Sequence, residues 1–205
     1  MDMRITKLIF TVLMLLGSAQ AWADAAMITQ LSGEVSINSG GTTQKAVSFL
    51  KVATGDKLTL TSGARVQLVY FGNGRQEVWT GGGLVEVGGL DSKSTLKPEV
   101  SQLPPLVVNQ LAKTPAAGQQ GKTGMIRVRS LTNPDAAKHL DKQYAELKKS
   151  AVEGDTTPEV FLLSGLIEIK EFNRAKSLLA DLGGKAAYKP VVEHFAPIVA
   201  AAAPK

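Results

Sequence analysis

The chain has 205 residues, with 23 basic and 18 acidic side chains, two histidines and no cysteine. Without a thiol it forms no disulfide, builds no cysteine-ligated zinc site and offers no thiolate nucleophile; His139 and His194 stand far apart with no acidic cluster at ligand spacing, so no metal pattern emerges. The net charge of +5 is diffuse and lacks the clustered Lys and Arg with interleaved aromatics that mark a nucleic-acid footprint.

At the N-terminus, Arg4 and Lys7 lead into the apolar stretch Leu8 to Leu16, then Gly17 and the small-residue pattern Ala21-Trp22-Ala23. This order predicts a secretory signal peptide over residues 1–23, cleaved after Ala23, and hence a periplasmic protein. The apolar core falls short of the roughly 20 residues that a spanning helix needs. No later run is long enough either, so no transmembrane segment is expected after cleavage. Removing Arg4, Lys7 and Asp2 lowers the net charge from +5 to +4, and the surplus then sits in residues 101–205, with fourteen basic against ten acidic side chains.

Residues 24–90 predict a small antiparallel β-rich domain. Short alternating runs cover Met27 to Leu31, Glu34 to Asn38, Lys57 to Leu60, Ala64 to Phe71, Gln76 to Thr80 and Leu84 to Val87. Gly55-Asp56, Ser62-Gly63 and Gly72-Asn73-Gly74 supply the positive φ angles between them, and Asn73-Gly74 is a strong hairpin signal. Alternation in Arg65 to Tyr70 sends Val66, Leu68 and Tyr70 to one face and Arg65, Gln67 and Val69 to the other, which predicts a curled sheet with one buried face.

Residues 91–124, with Pro98, Pro104, Pro105 and Pro115 among Gly, Ser, Lys and Gln, predict an extended linker. Met125 to Arg129 alternates again as a short strand and opens a region, 125–205, that is otherwise helical. Asn133-Pro134-Asp135 starts a first helix with the stripe Leu140, Tyr144 and Leu147. Gly154-Asp155 breaks it, and Thr157-Pro158-Glu159 starts a second carrying Phe161, Leu162, Leu166 and Ile169. A third places Phe172, Ala175, Leu178, Leu179 and Leu182 on one face and stops at Gly183-Gly184. A fourth, from Tyr188 to Val199, is interrupted at Pro197. The expected class is α+β: β domain, Pro/Gly-containing linker and helical bundle, with few contacts across the linker.

The β region resembles the FecR-type domain of envelope proteins. Ser32-Gly33-Glu34-Val35, Leu50, Gly55-Asp56-Lys57-Leu58, Thr61 to Tyr70, Gly72-Asn73-Gly74, Glu77-Val78 and Leu84 to Val87 carry the likeness over residues 27–90. The resemblance implies a periplasmic domain that makes protein contacts in envelope signalling or assembly, without catalysis. Relatives that regulate sigma factors keep a cytoplasmic helical domain and a membrane span, which this chain lacks, so that role is not carried over. Phe161 to Leu179 resembles a tetratricopeptide-type hairpin, with Leu163, Gly165, Phe172 and Ala175 at its packing positions. An ordinary small bundle fits as well, since a repeat array needs several units.

Motifs for chemistry fail on context. Ser48-Phe49-Leu50-Lys51 matches S-x-x-K and Lys122-Thr123-Gly124 matches K-T-G, yet Ser48 lies among turns rather than at the start of a buried helix, and Ser36-Ile37-Asn38 precedes it. Gly121-Lys122-Thr123 ends like a phosphate loop, but Ala116 stands where that loop's first glycine would fall. Asp56, Glu77 and Glu86 occupy turn or strand positions where a solvated carboxylate is the default. The expectation is no enzyme, no cofactor and no metal. An envelope protein is the expected partner, a glycan or peptidoglycan the second reading, and a cell-wall hydrolase or transpeptidase a distant third. Candidate partner-binding residues are Trp79, whose default place is the core but which could anchor a partner if exposed, and the basic set Lys148, Lys149, Arg174 and Lys176.

Overall fold

The computed structural model describes residues 24–118, 134–152 and 154–202. The expected signal peptide, the Met125 to Arg129 strand and Lys122-Thr123-Gly124 lie outside the described residues. The chain is α+β: the described residues form ten strands in two antiparallel five-stranded sheets, followed by helices. In order the strands are β1 Asp24–Ser32, β2 Val35–Ser39, β3 Thr42–Lys45, β4 Lys51–Ala53, β5 Lys57–Leu60, β6 Arg65–Tyr70, β7 Arg75–Thr80, β8 Gly83–Val87, β9 Ser92–Ser94 and β10 Glu99–Gln102. The helices are α1 Pro105–Lys113, α2 Pro134–Ser150, α3 Thr157–Glu168, α4 Phe172–Gly183 and α5 Lys189–Ala202, with a single 3₁₀ turn at Ala186–Tyr188 before α5.

The first sheet runs β10-β7-β6-β1-β4 and the second β3-β2-β5-β8-β9. Ile28, Val66, Leu68, Tyr70 and Trp79 from the first meet Val35, Ile37, Leu58 and Val85 from the second in one apolar core. This is a sandwich rather than one curled sheet. The first sheet is also covered on its other face, where Met27 and Val69 join the helical core formed by Val107, Leu111, Phe161, Leu163 and Phe195. Five of the six residues of β6 are buried. Alternation along β6 therefore separates two interiors, not a core from solvent.

The expected linker is corrected by the same packing. Residues 92–94 and 99–102 form the edge strands β9 and β10, and 105–113 form α1, whose Val107, Val108 and Leu111 are buried. Prolines 104 and 105 do not break structure here. Pro105 takes the first helical position, where its missing N–H is one that a helix start leaves unpaired in any case. Gly74, at φ 73, lets the β6–β7 turn approach this segment: a Cβ there would lie 2.8 Å from the Leu103 carbonyl oxygen.

In the helical layer α3 is central, and Thr157 through Leu166 are all buried. Gly165 permits the approach of α2, since a Cβ on it would stand 2.4 Å from Leu140 Cδ1. Pro197 does not end the last helix, which runs on to Ala202. Its ring is exposed, so water can serve the carbonyl that the missing N–H leaves without a partner.

Candidate functional site

A buried polar seam joins the first sheet to the start of α3. Between Ile28 and Gln30 the register of β1 against β6 slips by one residue, which makes Thr29 the extra residue of a bulge. The Thr29 hydroxyl lies 3.1 Å from Gln67 Nε2, and the same amide reaches Asp155 Oδ1 at 3.0 Å and the Thr157 hydroxyl at 2.9 Å. Asp155 Oδ1 also accepts the Thr157 backbone N–H at 2.9 Å, so it serves an orphan amide of the helix start as well. Gln76 Nε2 approaches Asp155 Oδ2 at 3.4 Å. Every one of these side chains is 9 % exposed or less. They order the interface between layers, and Asp155, read from sequence only as a helix breaker, is its hub.

A second buried cluster lies inside the sandwich. Glu77 is fully buried, contrary to the solvated place its strand position suggests. Its Oε1 accepts from Arg75 Nε at 2.6 Å and from the Ser92 backbone at 3.3 Å, and its Oε2 accepts from Trp79 Nε1 at 3.1 Å. Ser92 Oγ in turn lies 2.6 Å from the Tyr70 hydroxyl. Burial pushes the Tyr70 phenol up to about 12; the hydrogen bond to Ser92 opposes the rise, and the Glu77 charge adds to it. One carboxylate thus ties β7 of the first sheet to β9 of the second. The signal was present in sequence: Arg75, Glu77 and Trp79 share a strand face.

The predicted partner residues are not brought together as a patch. Trp79 is 2 % exposed and belongs to the sandwich core, so the role of exposed anchor is corrected. Lys148 Nζ lies 2.7 Å from the buried Glu159 Oε1, which also accepts from the Tyr144 hydroxyl at 3.3 Å. The bond to Glu159 holds the Lys148 ammonium above its ordinary pKa, while burial and then the Glu159 charge raise the Tyr144 phenol. Arg174 pairs with Asp141 at 2.5 Å. Lys149 and Lys176 remain exposed. Two of the four cations are thus paired within the fold, and the other two lie on the solvated helical surface.

Ser48 falls in a turn, not at a helix start, and Lys51 lies in β4 with its Nζ donating to the Ala112 carbonyl at 3.0 Å. Asp56 is buried, and its Oδ2 accepts the Ala53 N–H at 2.8 Å to close the turn before β5. Glu86, by contrast, is exposed and stands 3.9 Å from Lys57. Among the described residues no group of three or more His, Cys, Asp or Glu could hold a metal ion, and no helix is long and apolar enough to cross a membrane. A cleft of about 150 Å³ between Thr29, Ser48, Thr156, Pro190 and Val191 is smaller than the roughly 300 Å³ at which ligand pockets begin.

The broad uncovered surface is the outer face of the second sheet. Cross-strand register places Lys45, Ser36, Thr59 and Leu84 in one row. Thr43, Asn38, Lys57, Glu86 and Lys93 form the next. Leu84, at the β8 end of the first row, is 50 % exposed. At the far edge of this sheet β3 is exposed along its whole length and, among the described residues, hydrogen-bonds to one strand only. No protein-family model, curated protein or solved structure matches the chain.

Proposed function

We propose that this chain is an exported, periplasmic interaction module of FecR-like type that works without catalysis, in envelope signalling or assembly. The observation that supports this reading is the division of labour between the sheets. Both faces of the first are taken up by packing, whereas the second leaves an open face of Ser, Thr, Asn and Lys around Leu84. A polar surface that carries an exposed aliphatic side chain suits a protein partner, since interfaces combine apolar contacts with polar ones. Lys45, Lys57 and Lys93 against the single Glu86 give that face a positive balance, which favours an acidic partner and speeds its encounter. Of the turn glycines that carry the FecR resemblance, Gly33, Gly55, Gly63 and Gly74 have positive φ and Gly72 does not; the four suit the two-sheet framework that presents this face.

The test is recovery of bound proteins from cell envelopes before and after muramidase digestion. A partner retained once the glycan is cut supports direct protein recognition. One lost on digestion supports the glycan-binding alternative instead.

A further inference from the structure

Phe49, in the connection between β3 and β4, has φ 67, a left-handed backbone that a bulky side chain adopts only under constraint. Its N–H donates to the Ile28 carbonyl at 2.6 Å and its carbonyl accepts from the Ala117 N–H at 2.9 Å. Its ring stacks on His194 of α5, with centroids 4.4 Å apart and planes inclined by 27°, and meets Phe195 edge-on at 5.8 Å. His194 is 4 % exposed and itself lies edge-on to Phe195 at 5.0 Å. Four segments therefore converge on one aromatic stack: β1, the β3–β4 connection, the chain after α1, and α5. The cleft lined by Ser48 and Val191 opens beside it.

We propose that His194 is an acid-sensitive latch: in its neutral form it clamps the β3–β4 connection to α5 through Phe49, and its protonation releases α5 from the first sheet and widens the adjoining cleft. Burial disfavours the imidazolium and holds the ring's pKa down at about 4, opposed in part by the hydrogen bond to the Pro115 carbonyl. Stacking of a cation on Phe49 would return some of that loss, because an aromatic face attracts positive charge.

Charged groups on the surrounding elements are engaged elsewhere. Lys51 of β4 bonds to the Ala112 carbonyl and stands 3.8 Å from Asp24, Lys113 of α1 pairs with Glu168 of α3, and Glu159 of α3 holds Lys148. On α5 itself, Lys189 and Glu193 pair at the surface. Among the described residues, Asp24, Glu168, Glu159 and Glu193 are thus each paired with a lysine.

The sign follows from linkage. A released, hydrated His194 titrates near 6.5, so the open form binds the proton more tightly and acid favours opening. The latch is fully closed above about pH 6.5 and weakens as pH falls toward 4. The limiting change in the opening equilibrium is on the order of 300-fold.

The experiment uses the full chain with ¹³C-labelled histidine, titrated from pH 7 to 4 by NMR, with exposed His139 as the internal reference. Amide exchange of Val191 to Val199 is read against that of Val66 to Val69 at each pH, which cancels the intrinsic pH dependence of exchange. The expected result is loss of the Phe49–His194 ring contact as His194 protonates, with relative opening of α5 rising at least tenfold. In His194→Phe, which keeps the stack without a titrating group, the rise should vanish. Should that variant fail to fold, the wild-type titration decides alone. Protonation of His194 with the Phe49 contact intact, or α5 exchange that tracks β6 throughout, would overturn the proposal.

Discussion

Gln67 Nε2 and Asp155 Oδ1 stand 3.0 Å apart in the interior, although 88 positions of chain separate the two residues. The bond crosses from the middle of the first sheet to the start of α3, so the sandwich and the helices share an ordered boundary. Asp155→Ala removes the acceptor for Gln67, Gln76 and the Thr157 amide at once. A buried donor left without a partner costs about 1–3 kcal/mol, and the expected loss is about 3 kcal/mol in urea unfolding. Gln67→Ala and the double variant should be strongly non-additive, with a coupling of about 1 kcal/mol or more. Strict additivity would mean that the contact contributes nothing to the boundary.

Glu77 offers a second test, inside the sandwich. Glu77→Ala leaves Arg75, the Trp79 indole and the Ser92 amide without their shared acceptor, and a buried donor left unpaired costs about 1–3 kcal/mol. Glu77→Gln keeps the shape and one acceptor oxygen and should lose less. Equilibrium denaturation followed by near-ultraviolet circular dichroism would rank the two variants, and equal losses would contradict the assigned role of the second oxygen.

Tyr70 predicts a pH dependence on the alkaline side. Its folded pKa of about 12 lies above the ordinary tyrosine value of 10.0, so the unfolded chain gives up this proton first. The contribution is complete below pH 10 and declines as pH rises toward 12, by up to about 3 kcal/mol. Tyr70→Phe should flatten that part of the stability profile. An unchanged decline would assign it to other groups.

Gly165 sets the distance between α2 and α3. In an open helix, Gly→Ala would add about 1 kcal/mol of helix propensity. Here the new methyl falls 2.4 Å from Leu140 Cδ1, and overpacking costs about 1–3 kcal/mol. Gly165→Ala should therefore destabilise, and the penalty should shrink in a Leu140→Ala background, where the colliding methyls are gone. A penalty that persists there would show that Leu140 is not the obstacle.

The elements that were legible in the sequence are those with strong local signals. The helix starts at Pro134 and Thr157, the break at Gly154-Asp155, and the Asn73-Gly74 turn follow from first-turn prolines, breakers and turn residues. The short edge strands β3 and β10 escaped because all four residues of each are exposed, so neither has an apolar alternation to read. Helix α1 was hidden by Pro104 and Pro105, residues that stop a helix in its middle but suit its first turn. The second interior was hidden by Gln67, a polar residue on the face of β6 opposite Leu68. Its burial depends on partners almost ninety residues away, which no local pattern encodes. The outer face of the second sheet became visible only with cross-strand register, because Ser36, Thr59 and Leu84 come from three separate strands.

That face gives the most direct measurement of the proposed role. Leu84→Glu and Lys57→Glu alter this face without touching either core, and Lys149→Glu with Lys176→Glu alters the exposed helical surface as a control. All should keep the wild-type circular dichroism, since exposed substitutions usually change stability by no more than about 0.5 kcal/mol. Quantified against the wild type in envelope pull-downs, the two sheet variants should lose the partner that survives muramidase treatment, by tenfold or more, while the helical control retains it. Retention of that partner by both sheet variants, with loss in the helical control, would contradict the account and move the interaction surface to the helices.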